Sequence, residues 1–240
     1  MPPAPGATTR TPVLVELFTS EGCSSCPPAD KFLADLDRSQ PVPAAEIIVL
    51  SEHVDYWDDG GWRDPFSSHD FTERQRAYVS ILRIPEAYTP QMVVDGRFEF
   101  VGSDERTALR AIATASGSEK APVTLSGIHL VSGHRFAMHL NAGPLPASAG
   151  VGQASIILAV ADDSDESQVQ GGENSGRKLS YVAVLRNLEK VGKVDRTAPF
   201  SGDVAIGLKG GSAASNRVVA FIQEGNGGRI WGAASARAEQ

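Results

Sequence analysis

The sequence has no long apolar run, no cluster of basic residues and only two cysteines. A membrane-spanning helix needs roughly 18 apolar residues, so the first absence predicts a soluble protein without a membrane span. Without a basic cluster, and with a formal net charge of −7, the chain is a poor match for nucleic acid or an anionic membrane. The low cysteine content leaves the compartment open, because a close pair of thiols functions in reducing and in oxidising surroundings.

The first residues also lack the features of a secretion signal. Residues 1–11 are rich in proline and contain no apolar core segment, so we expect a flexible tail and no signal peptide. The remaining composition, 41% apolar and 21% charged residues, is typical of globular proteins. A chain of 240 residues is long enough for one large domain or two ordinary ones.

What the sequence does contain is a close pair of cysteines. Cys23 and Cys26 are separated by two serines and directly follow the apolar run Val13–Phe18, which predicts a strand. Pro27 and Pro28 suit the first turn of a helix. A turn from strand to helix brings two thiols within reach of each other. It also places them at a helix N-terminus, where unpaired N–H groups favour the thiolate.

The order of elements in the first half predicts its fold. After the cysteine pair, the pattern indicates a helix, a buried strand at 46–50, a helix at 70–83, a hairpin over 92–101 around Asp95-Gly96, and a helix at 104–115. This is the thioredoxin plan, so we expect an α/β thioredoxin-like domain at 12–118. In that plan the proline at position 90 follows a cis peptide bond and lies against the cysteines. A trans proline that opens a strand is the alternative.

The second half has a different pattern. From about residue 119, seven short alternating runs separated by glycine-rich turns predict strands, so we expect an all-β sandwich-like domain at 119–240. Residues 162–178 are acidic and then glycine-rich, which predicts a long exposed loop. Within it Glu173, Asn174 and Arg177 are polar enough to contact a partner, although such residues also build turns.

Several long motifs resemble a bacterial family known only as domain of unknown function 1223. They are Val15–Asp30, His53–Asp58, Asp64–Ser68, Tyr88–Gly96 and Gly172–Arg177. The resemblance implies a secreted or periplasmic protein with a thioredoxin-like first half and a redox-active cysteine pair, but it implies no particular substrate. The leading signal segment that is usual in the family is not seen in this sequence.

The chemistry that we expect is thiol–disulfide exchange with a protein or small-molecule substrate and a separate redox partner. Cys23 lies ahead of the helix, where we expect it to be the more exposed thiol and the nucleophile, and Cys26 then resolves the mixed disulfide. Glu21 opposes ionisation of Cys23, and no Lys or Arg lies between Ser20 and Asp30. We therefore expect only a modest depression of the pKa of the Cys23 thiol.

Three further residues are candidates for supporting roles. Thr89 and Pro90 are expected to pair with a substrate backbone in a strand-like way. Glu16 lies on the first predicted strand, seven residues before Cys23. If it is buried near the inner sulfur, it would relay a proton. The alternatives for Glu16 are a solvated face of the sheet or an ion pair with an arginine.

The segment 53–66 supplies candidates for substrate binding. It contains Trp57 and Trp62, and with Tyr88 these aromatic side chains would form a platform for substrate beside Cys23. The alternative is that the rings pack beneath their own loop.

Two other functions remain open. Both thiols with His53 would suit Cu(I) or Zn²⁺, which describes a metal chaperone. The third possibility is a non-catalytic binding module with an inert disulfide, although such a short loop constrains the unfolded chain little.

Overall fold

A computed structural model describes residues 10–211 and 215–238 of the chain, so residues 1–9 of the expected tail lie outside it. The described residues form three helices and eleven strands. The helices are α1 (Pro27–Ser39), α2 (His69–Leu82) and α3 (Glu105–Ser116). The strands are β1 (Thr11–Thr19), β2 (Ala45–His53), β3 (Gln91–Val94), β4 (Phe98–Val101), β5 (Val123–Ser132), β6 (Arg135–Ala142), β7 (Gln153–Gln168), β8 (Lys178–Asp195), β9 (Phe200–Gly207), β10 (Asn216–Gln223) and β11 (Ile230–Arg237).

Most of the strands belong to one large mixed sheet. Eight strands lie in the order β11-β10-β7-β8-β2-β1-β3-β4, and a separate sheet has the order β5-β6-β9. Strands β1 and β2 are parallel, with Thr19 beside His53, whereas β3 and β4 run antiparallel to their neighbours. The carboxyl ends of β1 and β2 therefore lie at the same end of the sheet. The turn with the cysteines, the segment after His53 and the start of α1 are all found there.

The expected fold class, a thioredoxin-like α/β domain followed by a separate β-sandwich, is wrong. The large sheet takes β1–β4 from the first half of the chain and β7, β8, β10 and β11 from the second. The two halves meet where Ser51 of β2 pairs with Val184 of β8. One hydrophobic core correspondingly contains Leu33 and Leu36 of α1 together with Ala183 and Phe221. This pair joins β8 to β2 and makes β2 an interior strand of the large sheet.

The local patterns predicted the individual elements better than their assembly. All three helices and the 92–101 hairpin are present, and a strand covers each of the seven runs of the second half. The expected loop at 162–178 is only partly correct, because β7 continues to Gln168 and β8 begins at Lys178. Only residues 169–177 remain outside the strands, and we call them the hairpin tip. They carry the end of a long β-hairpin to the edge of the sheet where the cysteines lie.

The ends of the helices follow ordinary capping rules. The α1 helix begins after Cys26 with two prolines in its first turn, as the sequence predicts. Helix α2 is capped by the Ser68 hydroxyl, which accepts a hydrogen bond from the Asp70 N–H. Within residues 10–211 and 215–238, none of the helices combines the length and apolar character needed to cross a membrane.

Candidate functional site

The two cysteines form a disulfide in the turn between β1 and α1. The carbonyl oxygen of Cys26 accepts hydrogen bonds from the backbone N–H groups of Ala29 and Asp30 in the first turn of α1. The Ser25 hydroxyl lies 3.4 Å from Cys23 Sγ, and because this sulfur carries no proton in the disulfide, the hydroxyl is the donor. The turn thus has the position at a helix N-terminus that the sequence predicts.

The expected exposure of Cys23 is wrong. Cys23 is 1% exposed and Cys26 is 0% exposed, whereas Ser24 and Ser25 between them face the solvent. The sequence could not reveal this burial, because the residues that cover the disulfide come from positions far along the chain.

The hairpin tip bonds directly to the cysteine turn. The fully buried Asn174 amide donates to the carbonyl oxygens of Glu21 and Cys23, each at 2.9 Å. The Arg177 guanidinium donates to Asn174 Oδ1 at 2.8 Å. The Glu173 carboxylate accepts a hydrogen bond from the Ser24 N–H at 3.1 Å. The Ser24 side chain, and then its N–H, lower the pKa of Glu173. The polar residues of the predicted loop therefore contact the cysteine turn of their own chain.

Trp57 connects the cysteine turn to the Thr89–Pro90 segment. Its indole N–H donates to Thr89 Oγ1 at 2.8 Å. Its backbone and Cβ lie so close to Gly22 that a side chain at position 22 would meet Trp57 Cβ at 2.9 Å. The Thr89–Pro90 peptide bond is cis, as the sequence predicts, and Pro90 is buried. The structure thus brings together three of the predicted site residues around the turn.

The other two aromatic candidates make contacts within the fold. The Trp62 indole N–H donates to Glu21 Oε2 at 2.6 Å, and its ring packs with the buried cluster that includes Val169 and Tyr181. The Tyr88 hydroxyl donates to Glu99 Oε2 at 2.7 Å. Both side chains are only partly buried, but the described contacts of each are structural.

The structure does not place Glu16 with the disulfide. Its carboxylate is fully buried and accepts hydrogen bonds from the guanidinium of Arg74 and the hydroxyl of Tyr78, both on α2. Glu52 lies within 3.5 Å of the same guanidinium, and burial together with the neighbouring Glu16 raises the pKa of Glu52 well above its ordinary value. The arginine ion pair, one of the alternatives for Glu16, is the arrangement observed.

A second buried group of acids lies on the opposite face of β2. Glu52 and His53 are consecutive in this strand, so their side chains point to opposite faces of the sheet. His53 Nδ1 donates to Asp64 Oδ2 at 2.7 Å, and both side chains are almost completely buried. Burial lowers the pKa of His53, but the carboxyl groups of Asp64, Asp30 and Glu21 together raise it above its ordinary value. Burial raises the pKa of Asp64, but His53 and the backbone N–H groups of Glu21 and Phe66 together lower it. These shifts describe an imidazolium–carboxylate pair.

Asp30 is the residue of this group that the sequence analysis missed. It is 5% exposed, and burial raises its pKa to about 7, while the charge of His53 opposes that rise. Its position four residues after Cys26 was an available signal, because residues at this spacing share one face of a helix. The signal was ambiguous, since an acid in the first turn of a helix is also an ordinary partner of the helix dipole.

The metal ligands suggested by the sequence are both cysteines and His53, and in the structure these side chains make other bonds. The two sulfurs are bonded to each other, and one ring nitrogen of His53 is bonded to Asp64. In the part of the chain that the structure describes, no group of three or more His, Cys, Asp or Glu side chains is arranged to hold a metal ion. The hypothesis of a Cu(I) or Zn²⁺ site therefore stays a prediction from sequence.

The fold and the site define a class of β-rich proteins with a buried disulfide at the start of a helix that packs on a mixed sheet. A family model described as "Protein of unknown function (DUF1223)" matches residues 14–223, and the chain belongs to this family. The resemblance inferred from the motifs is thereby confirmed.

Two solved structures are similar over nearly the whole chain. Protein AGR_C_4864 from Agrobacterium tumefaciens is 28% identical, with 95% of each chain covered and a TM-score of 0.70. HBP35 of Porphyromonas gingivalis is 16% identical, with 95% of this chain and 76% of that chain covered and a TM-score of 0.69, which shows a shared fold alone. No curated protein matches the sequence.

Proposed function

We propose that this protein is a thiol–disulfide oxidoreductase whose redox centre is the Cys23–Cys26 pair. The observation that carries the proposal is that the two cysteines of the sequence form a disulfide at the N-terminus of α1. A ring closed by residues three apart removes little entropy from the unfolded chain, so stabilisation is a weak reason for it. The helix N-terminus and the Ser25 hydroxyl both favour the Cys23 thiolate when the pair is reduced.

The reaction follows from this geometry. The Cys23 thiolate attacks one sulfur of a client disulfide, a mixed disulfide forms, and the other client sulfur leaves as a thiolate. The Cys26 thiolate then attacks Cys23 Sγ, which breaks the mixed disulfide and releases the second client thiolate. The client is reduced by two electrons, the cysteine pair is oxidised, and a dithiol redox partner restores the reduced pair.

Access to Cys23 requires movement of the hairpin tip. In the oxidised protein Asn174 and Glu173 bond the main chain of the cysteine turn, and Cys23 is covered. A client therefore enters only when these few hydrogen bonds break. Trp57 and the Thr89–Pro90 segment on the other side of the turn then form the surface that a client backbone contacts.

The proposal is tested by turnover of a disulfide substrate. We expect the reduced full-length protein to reduce insulin or a small aromatic disulfide with dithiothreitol as donor, above the rate with dithiothreitol alone. Cys23→Ser should abolish this activity, and Cys26→Ser should accumulate a stable mixed disulfide with the substrate. A wild-type rate equal to that of Cys23→Ser would contradict the proposal.

A second candidate is a binding module in which the disulfide is only structural. The observation in its favour is the burial of both sulfurs. This candidate predicts that the disulfide resists dithiothreitol under native conditions and becomes reducible only when the protein unfolds. The turnover assay and the native reduction rate together separate the two functions.

A secreted or periplasmic location fits the same chemistry. Disulfides persist in oxidising compartments, so the Cys23–Cys26 bond favours an exported protein. We expect alkylation of the thiols in intact bacteria, before lysis, to show the pair oxidised and the protein in the periplasmic or external fraction. A fully reduced pair in the cytoplasmic fraction would contradict this location.

A further inference from the structure

The region beneath the disulfide contains an acid that the exchange reaction as described above does not use. Asp30 lies one helical turn after Cys26, and its backbone N–H donates to the Cys26 carbonyl oxygen at 3.1 Å. The two side chains leave the same face of α1, because residues four apart do so. Among the described residues, Asp30 Oδ1 makes no hydrogen bond of ordinary geometry, although the Thr19 hydroxyl is near enough to lower the pKa of Asp30 somewhat.

Asp30 belongs to what we call the buried polar cluster. Its members come from β1, α1, β2, β8 and the loops after β1 and β2, and they are Thr19, Glu21, Asp30, Ser51, His53, Asp64 and Tyr181. Thr19 and His53 are register partners in adjacent strands, and the rings of His53 and Tyr181 have centroids 4.6 Å apart. The titratable groups that face Asp30 are Glu21, His53, Asp64 and Tyr181.

The cluster contains more polar atoms than its internal hydrogen bonds satisfy. Within the described chain, each of six members has one buried side-chain atom without a partner: Thr19 Oγ1, Glu21 Oε1, Asp30 Oδ1, Ser51 Oγ, His53 Nε2 and Tyr181 OH. Buried polar atoms without partners are costly, so a stability role alone does not explain so many in one place.

The exchange reaction needs a proton acceptor at this position. Cys26 is 0% exposed, so its thiol cannot pass a proton directly to bulk water. When Cys26 attacks Cys23 Sγ it must lose this proton, and when the disulfide is reduced it must regain one. Burial raises the pKa of Asp30 to about 7, which suits an acid that exchanges protons near neutral pH.

We propose that Asp30 is the acid–base group for Cys26. Its carboxylate takes the Cys26 proton as the thiolate forms and attacks Cys23 Sγ, and the client sulfur leaves with the electron pair of the broken bond. On reduction by a dithiol, the Asp30 carboxylic acid returns the proton to the Cys26 thiolate. This inference rests on the proposed exchange function, and Glu16, bonded to Arg74 on the opposite face, is left without a part in it.

The test is the pH dependence of the disulfide equilibrium, which needs no client. Full-length wild type and Asp30→Asn are equilibrated with dithiothreitol from about pH 5.5 to about pH 8.5, and alkylation measures the reduced fraction. In the wild type we expect the pH dependence to bend near pH 7, because the proton affinity of Asp30 changes with the state of Cys26. Asp30→Asn should lack this bend, and the control Asp35→Asn, a partly exposed acid on the same helix, should retain it.

A kinetic measurement addresses the same proton. With one thionitrobenzoate group on Cys23, its release by Cys26 should be at least about tenfold slower near pH 7 in Asp30→Asn than in the wild type. The two rates should converge at high pH, where the thiol ionises without help. A merely structural role would not produce this convergence.

The outcomes separate the inference from the proposed function. Absence of the bend in the wild type, or the same bend in Asp30→Asn, overturns the role of Asp30 even if the protein reduces disulfides. A bend that depends on Asp30 supports it even if no substrate is turned over. Should Asp30→Asn fail to fold, Glu21→Gln replaces it: loss of the Glu21 charge should move the bend to lower pH, and an unmoved bend overturns the inference.

Discussion

The two faces of β2 carry buried acids that are handled in different ways. On one face Glu16 and Glu52 share the Arg74 guanidinium, so a permanent cation compensates two carboxyl groups. On the other face His53 pairs with Asp64, and the charge of His53 also acts on Glu21 and Asp30. Arginine keeps its charge at any ordinary pH, whereas histidine and a buried aspartate titrate near neutrality. The first face is suited to holding the fold together and the second to moving protons.

We expect removal of Arg74 to cause the largest loss of stability. Arg74→Met leaves buried Glu16 and Glu52 without a cation, so we expect a loss of about 3–5 kcal/mol in the free energy of unfolding. Arg76, on the same helix, makes an exposed salt bridge with Glu73, so Arg76→Met should cost less than about 1 kcal/mol. Denaturant titration of both variants measures the difference. Equal losses in the two variants would show that the buried Arg74 ion pair contributes no more to stability than an exposed one.

Asp30, on the second face, should make the free energy of unfolding depend on pH. Burial raises the pKa of Asp30 from 3.8 to about 7, so the folded state holds this proton more tightly than the unfolded chain. Its contribution is therefore fully present below about pH 4 and is lost as the pH rises to about 7. The stability of Asp30→Asn relative to that of the wild type should therefore rise by roughly 4 kcal/mol between pH 4 and pH 8.

Thermal or denaturant unfolding over this range measures the gain. Asp35→Asn is the control, because hydrogen bonding by Lys31 lowers the pKa of this partly exposed acid and any effect should have the opposite sign. A difference between Asp30→Asn and wild type that is constant with pH would mean that Asp30 does not titrate in the folded protein.

The hairpin tip should affect the disulfide face and leave the arginine face unchanged. Asn174→Ala removes the donor for the carbonyl oxygens of Glu21 and Cys23, so we expect a loss of about 1–3 kcal/mol in stability. Native reduction of the disulfide by dithiothreitol should become several-fold faster because the cover opens more often. Ser175→Ala, in the same tip, is the matched control. An unchanged reduction rate in Asn174→Ala would show that the tip does not limit access.

We expect the smallest effect on stability and on the reduction rate from Glu173, at the exposed side of the hairpin tip. Glu173 is exposed and accepts one hydrogen bond from the Ser24 N–H. Glu173→Gln keeps an acceptor oxygen at this position, so the stability should not change measurably. The reduction rate should rise less than in Asn174→Ala. A larger increase than in Asn174→Ala would mean that the charge of Glu173, and not the buried amide, holds the tip in place.

The sequence predicted local structure well because short-range physics determines it. The hairpin around Asp95-Gly96 needs only a turn that tolerates positive φ, and both residues have it. The apolar stripe of Ala29, Leu33 and Leu36 similarly orients α1 towards the core. Edge pairing is different: nothing in β2 or β8 specifies that Ser51 meets Val184, because many exposed strand edges offer the same hydrogen-bonding groups. The fold class was wrong for this reason.

In the candidate site, too, some features follow from local sequence and others depend on distant segments. The disulfide follows from local sequence, because two cysteines three apart at a strand-to-helix turn lie within bonding distance whatever the rest of the chain does. The bonds from Asn174 to this turn, the pairing of Glu16 with Arg74 and the burial of Asp30 all depend on the tertiary fold. Burial and charge pairing depend on segments that are distant along the chain, and no local pattern records which of them meet.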